Sequence, residues 1–310
     1  MWGVYHCMSR VVAGEFLLDE RSKEILCKQL FQVADFCGVE ILTYCLMSNH
    51  FHVLVRVPVA EDLSDEELLK RAGKLYWKED RYLAHVKKIF IRGDVDSVER
   101  LREKLCARMY DVSMFMKELK QRFSIWYNKS YDRYGVFWAD RFKSVLVEGN
   151  RNSVGMVAAY IDLNPVRARI VEDPKDYRYS GYGEAMAGVS RSRKGLMKAM
   201  YEGSDWRDAL EGYRELLFGK GIIVQKKGQS AINEQLAQRV LNERGRLSRS
   251  ELLRCRVRYF SEGLIIGGKH FIEECYCYNC ERKRIPQKMK GGDWGEMMVY
   301  RSFRNLKSVR

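Results

Sequence analysis

No uninterrupted apolar run in this 310-residue chain approaches the ~20 residues that a membrane-crossing helix requires. Nor does the chain open on a charged stretch followed by an apolar one, so it reads as a soluble, unprocessed protein of the cytoplasm, with no membrane partner. Histidine is scarce, with five in all, so any pair close together stands out. Acidic residues are outnumbered 41 to 55 by Lys and Arg, which gives a formal charge of +14 and a pI near 9.3 and points to a polyanionic partner. Cysteine is not scarce. The nine are odd in number, and Cys27, Cys37 and Cys45 sit in apolar contexts, which suits buried reduced thiols better than a secreted disulfide framework. The length allows two domains, and 46% hydrophobic residues can fill a sizeable core.

The charge is unevenly spread. Residues 1–60 hold five Lys or Arg against six Asp or Glu, residues 117–143 seven against three, and residues 281–310 nine against three. Such blocks fit a phosphate track beside a neutral region, or else a solvated basic face with no ligand. Aromatics interleave with the charge at Arg122, Phe123, Trp126, Tyr127, Lys129, Tyr131, Arg133 and Tyr134. Some of these rings would stack on unpaired bases, whereas Phe115, Leu119, Phe123 and Trp126 recur at helical spacing and read as core.

His50-Phe51-His52 lies within an apolar, β-branched run from Ile41 to Val55. Residues i and i+2 of a strand share a face, so the two imidazoles project together and Phe51 points the other way. The pair is either a two-toothed metal clamp or a hydrogen-bonded core feature. Farther on, Tyr160 and Asn164 are four residues apart after the apolar stretch 154–159, and Pro165 is expected to end that helix. Tyr160 is the one tyrosine of 18 with a short-range amide partner on its own helical face; the alternative is an aromatic packed beneath the helix. Asp162 should face elsewhere. Paired imidazoles, an amide and a phenol suit phosphodiester chemistry: Mg²⁺ or Mn²⁺ with few protein ligands keeps positions for phosphate oxygens, and the tyrosine attacks. A water-activating hydrolase would want a carboxylate, and the two motifs offer none except Asp162.

At these residues the chain resembles the single-tyrosine HUH transposases of bacterial insertion sequences and their REP-associated relatives. The matching pieces are Tyr5-His-Cys-Met-Ser-Arg10, Tyr44 through Val55, Gly135 through Ser144, Tyr160 through Ala168 and Asp176-Tyr-Arg-Tyr-Ser180, in that order across residues 1–185. The resemblance implies that His50 and His52 bind Mg²⁺ or Mn²⁺, that Asn164 completes the metal shell where many members carry glutamine, and that Tyr160 is the nucleophile. It implies hairpin and single-stranded DNA as substrate, a 5′-phosphotyrosine intermediate, strand transfer, a bacterial nucleoid-associated location and the option of a homodimer. Arg122, Lys129, Arg133, Arg141, Lys143 and Arg167 are then candidate DNA contacts. A domesticated hairpin-binding protein with an idle site, and a metal-dependent nuclease that uses water, are the alternatives.

The elements expected are a strand at 3–11, a helix at 19–37, strands at 39–47 and 49–57 with a break at Met47-Ser-Asn49, a charged helical insertion over 59–112, a helix at 113–129 capped by Ser113, and a strand at 143–148 before the tyrosine helix. That order is the α+β, ferredoxin-like one, an antiparallel sheet with helices, with the histidine face turned toward the tyrosine helix. A basic linker or helical segment follows over 186–230. Residues 231–310 read as mainly helical, either a plain packing domain or a helix-turn-helix for duplex DNA, with a capping box at Ser248–Glu251 and a turn at Gly267-Gly268. His6 reads as structural. Cys275, Cys277 and Cys280 are close enough to suggest zinc, but they form one irregular cluster and read better as thiols.

Overall fold

The computed structural model describes residues 2–76, 80–200, 205–218, 259–262, 264–279 and 298–300. The chain is α+β, as its pattern implied, and divides into two compact units, Met1–Lys143 and Ser144–Arg310.

In the first unit β1 (Gly3–Arg10), β2 (Glu40–Leu46) and β3 (His50–Val57) form an antiparallel sheet in the order β2-β3-β1. The break before the histidine strand falls at residues 47–49 as expected. Helix α1 (Glu20–Cys37) is capped by Asp19, whose side chain accepts from the Ser22 amide, and buries Leu26, Leu30, Val33 and Cys37 along one stripe. It stops at Gly38, whose φ of 66° suits a residue without a Cβ. The charged segment after β3 folds as α2 (Asp65–Leu75), α3 (Arg81–Arg92) and α4 (Val95–Cys106), each opened by a capping side chain, Ser64, Asp80 and Asp94. Helix α5 (Val112–Ser130) starts one residue earlier than expected, because Asp111 and not Ser113 accepts the first-turn amide, from Met114. Its buried stripe takes Phe115, Leu119 and Phe123 but ends on Tyr127, while Trp126 stays half-buried.

In the second unit β4 (Lys143–Val147) leads to α6 (Arg151–Asp162), which is buried from Ser153 onward, as befits a helix apolar on all sides. Pro165 does not end the helical path. Leu163 keeps an α conformation and a second short helix, α7 (Asn164–Arg167), takes the proline in its first turn, where the missing N–H costs nothing. Next come α8 (Gly181–Met186), α9 (Ser190–Met200) and α10 (Trp206–Phe218), with α9 and α10 packed on α6. A Cβ on Gly155 of α6 would lie 2.9 Å from the Leu216 side chain and 3.1 Å from that of Met200, so the small residue sets the closeness of these helices. The basic stretch 188–195 is helix from Ser190 rather than linker, because Ser192 and Arg191 bond Glu184 and Arg193 bonds the Ala185 carbonyl.

Beyond α10 the sequence pattern did not single out β5 (Ile265–Gly267), which pairs parallel with β4, or β6 (Met298–Tyr300), antiparallel to β5. Three residues are too few to display alternation. The expected turn at Gly267-Gly268 does lead into a helix, Lys269–Asn279. Residues 219–258, with the capping box expected at Ser248–Glu251, lie outside the described residues, as do the side chains of Cys277 and Cys280. No helix among the described residues is long and apolar enough to cross a membrane.

Candidate functional site

His50 and His52 share one face of β3, with ring centroids 5.1 Å apart in an edge-on arrangement. Phe51 points the opposite way, edge-on to Trp138 at 5.4 Å. Register sets what the histidine face meets: His52 lies across from Met8 on β1 and Cys45 on β2, and His50 across from the exposed Arg10. His6, two residues before Met8, therefore shares that face, and its Nε2 lies 2.9 Å from His52 Nδ1. It is fully buried, and its ring centroid is 5.1 Å from that of His52. Three of the chain's five histidines converge here.

The turn that carries Asn49 into β3 is anchored on several sides. The Leu18 amide donates to the Ser48 carbonyl, the Val11 amide to the Asn49 carbonyl, and Asn49 Nδ2 to the Gly14 carbonyl at 3.1 Å. Lys23 donates to Ser48 Oγ at 3.3 Å, and its burial pulls the ammonium below the usual lysine range. Asn49 Oδ1 lies 2.6 Å from His50 Nδ1. With the Nδ1 atoms engaged by Asn49 and His6, the Nε2 atoms are the ones suited to a cation, so the residues present fit a divalent ion held by few protein ligands. Among the described residues no group of three or more His, Cys, Asp or Glu is arranged to hold a metal. Cys7 and Cys45 on these strands are buried, and burial pushes the Cys7 thiol far above its usual range.

Tyr160 and Asn164 come together in the second unit, joined through the backbone. Asn164 Nδ2 donates to the carbonyls of Tyr160 (3.3 Å) and Ile161 (3.0 Å), capping the end of α6. That leaves Oδ1 as its metal-competent atom. The Tyr160 residue is 4% exposed, and its ring is stacked on Phe260 with centroids 4.8 Å apart. Arg167 sits over the same ring at 4.2 Å and donates to the Tyr160 carbonyl at 2.6 Å. Asp162 faces away as expected: it is buried and accepts from the Tyr213 hydroxyl and the Tyr182 amide.

The candidate DNA contacts divide. Lys129, Arg141 and Lys143 are exposed. Arg133 bonds the Val136 carbonyl at 3.1 Å, within its own loop. Arg122 is half-buried, paired with Glu118 at 3.1 Å and 4.9 Å from the Tyr76 ring, where α5 packs on the insertion. Beside these, Tyr134 (87% exposed) and Phe16 (78%) stand out on loops joined by the bond from the Val12 amide to the Phe137 carbonyl. Reading the sequence alone missed Phe16 because nothing in it brings residues 12–18 next to 131–138. It also gave His6 only a structural role and Asn49 only a place in the turn, since the contact of His6 with His52 depends on strand register and that of Asn49 with Gly14 on a fold that joins distant loops.

No family model and no curated protein matches this chain. Among solved structures it is similar to a REP-associated tyrosine transposase bound to a REP hairpin, at 14% identity and a TM-score of 0.39, covering 74% of this chain and 93% of that one.

Proposed function

We propose that this protein is a metal-dependent single-tyrosine DNA strand transferase that binds hairpin and flanking single-stranded DNA, with residues 1–185 as its catalytic part. The observation that carries the reading is the paired imidazoles of His50 and His52 on one strand face, each with its Nδ1 already engaged. The motif resemblance spanning five separate pieces of sequence supports it.

His50 and His52 would present two nitrogens to Mg²⁺ or Mn²⁺, with Asn164 Oδ1 as a further ligand. The bound cation supplies charge neutralisation for a phosphate whose negative charge grows during in-line displacement. Tyr160 Oη attacks phosphorus, the bond from phosphorus to the 3′ oxygen breaks, the phenolic proton passes to solvent, and the departing 3′ oxygen takes one up. The products are a 5′-phosphotyrosine and a 3′-hydroxyl. Because the ester keeps the energy of the cleaved linkage, a second 3′-hydroxyl can reverse the step on a new strand. The reading holds whether Tyr160 serves its own chain's site or that of a second copy. Lys129, Arg141 and Lys143 would contact DNA, Arg133 and Arg167 would do so on leaving Val136 and Tyr160, and Tyr134 and Phe16 would stack on unpaired bases.

The test is a hairpin oligonucleotide with single-stranded flanks, taken from palindromes beside the gene, incubated with Mn²⁺ and run on a denaturing gel. The wild type should give a covalent protein–DNA band, Tyr160→Phe should bind the hairpin and give none, and His50→Ala or His52→Ala should lose the band. An undiminished band from Tyr160→Phe, or an undiminished wild-type band in EDTA, would refute the reading. The 4% exposure of Tyr160 favours one second reading, a hairpin-binding protein with an idle site. Binding with no wild-type adduct would select it.

A further inference from the structure

We propose that Asn49 and His6 are positioning residues that decide which nitrogen of His50 and His52 faces a cation. The inference rests on the reading of His50 and His52 as ligands. An amide oxygen has no hydrogen to give, so the 2.6 Å contact with Asn49 Oδ1 requires the hydrogen of the His50 ring to sit on Nδ1. The orientation of the Asn49 amide is itself settled, because Nδ2 donates to the Gly14 carbonyl, and exchanging the amide oxygen and nitrogen would set two acceptors against each other. In neutral imidazole the second nitrogen then carries the lone pair. For His50 that is Nε2.

His52 follows the same logic through a different partner. Its Nδ1 and His6 Nε2, 2.9 Å apart, share one hydrogen. If His6 gave that hydrogen, His52 would carry its own on Nε2 and could not ligate there. If His52 gives it, Nε2 becomes a ligand and His6 keeps its hydrogen on Nδ1. A cation at His52 therefore requires His6 to accept. His6 is fully buried, so bulk water cannot take over that role when the side chain is removed.

Two measurements on the full chain test this, neither of which uses DNA cleavage. Long-range ¹⁵N–¹H spectra of the histidine rings, recorded without metal at mildly alkaline pH, should show His50 with its hydrogen on Nδ1. Calorimetric Mn²⁺ titration should show Asn49→Leu and His6→Phe weakened ~10–100-fold, the loss typical when the partner of a ligating histidine is removed. His6→Gln restores an acceptor for His52 Nδ1 and should bind within a few-fold of wild type. A wild-type His50 with its hydrogen on Nε2, or Mn²⁺ affinity of Asn49→Leu equal to wild type, overturns the proposal. The spectrum needs no substitution, so a variant that fails to fold does not shield it. If His50→Ala and His52→Ala bind Mn²⁺ as the wild type does, the ligand assignment itself falls. If they lose binding while Asn49→Leu and His6→Phe keep it, only the positioning role falls.

Discussion

Asp19 shows how much one side chain can tie together. Its Oδ1 accepts from the Ser22 amide at 2.7 Å and its Oδ2 from the Tyr131 hydroxyl at 2.8 Å, so the start of α1 and the loop after α5 are both held by it. Partial burial would raise the carboxyl pKa, but the bonds from Ser22 and Tyr131, with Arg21 nearby, outweigh it and hold the group below its usual range. The carboxylate therefore contributes stability above the ordinary aspartate pKa, and that contribution is lost as pH falls through the lowered value. Asp19→Ala should cost ~1–2 kcal/mol, the usual loss for a helix N-cap, read from urea unfolding at neutral pH. An unchanged midpoint would mean that Ser22 and Tyr131 find water as good a partner.

At the level of elements, α6 presents Tyr160 beneath the short helix Tyr259–Glu262, whose Phe260 stacks on the phenol ring. The stacked pair contributes on the order of 1 kcal/mol beyond the area it buries. On the proposed function a phosphate must approach the phenolic oxygen of a residue only 4% exposed, so this cover should slow the attack. On the proposed function, Phe260→Leu should raise the initial rate of adduct formation several-fold, followed on denaturing gels at fixed Mn²⁺ and oligonucleotide. A rate equal to wild type, with binding unchanged, would show that the stacked ring is no barrier. The junction after α6 shows why Pro165 misled: a proline disfavours the α region at the residue before it without forbidding it, and in the first turn of α7 its missing N–H costs nothing.

Across the whole molecule, both units hold neutral acids that burial keeps from ionising. Desolvation pushes the Cys7 thiol far up and the Cys37 thiol to about 12, and it moves the Tyr182 phenol to about 12 and that of Tyr213 well above its usual value, with Asp162 adding to the last. The unfolded chain releases these protons near the reference values of 9.0 and 10.0, before the folded chain does. Folded pKa values lie above unfolded ones, so their stabilisation is complete below about pH 9 and declines as pH rises toward the folded values. Urea midpoints should fall stepwise from about pH 7.5 through 9 to 10.5. Midpoints that do not move over that range would contradict the burial of these groups.

The α+β order, the two histidines on one strand face, the break at residues 47–49, the span of α1 and the α6 segment were legible in the sequence, because period, caps and turn residues are local signals. Tertiary structure alone decided that His6 touches His52, that Asn49 orients His50, that Arg122 and Arg167 spend their guanidinium groups on Tyr76 and Tyr160, and that Phe260 covers the tyrosine. The His6–His52, Arg122–Tyr76 and Phe260–Tyr160 contacts join residues distant in the chain, whereas Asn49–His50 and Arg167–Tyr160, though near in sequence, depend on how the 47–49 turn and the α6–α7 junction fold. A register shifted by one residue would turn every side chain of a strand to the other face without altering any local pattern.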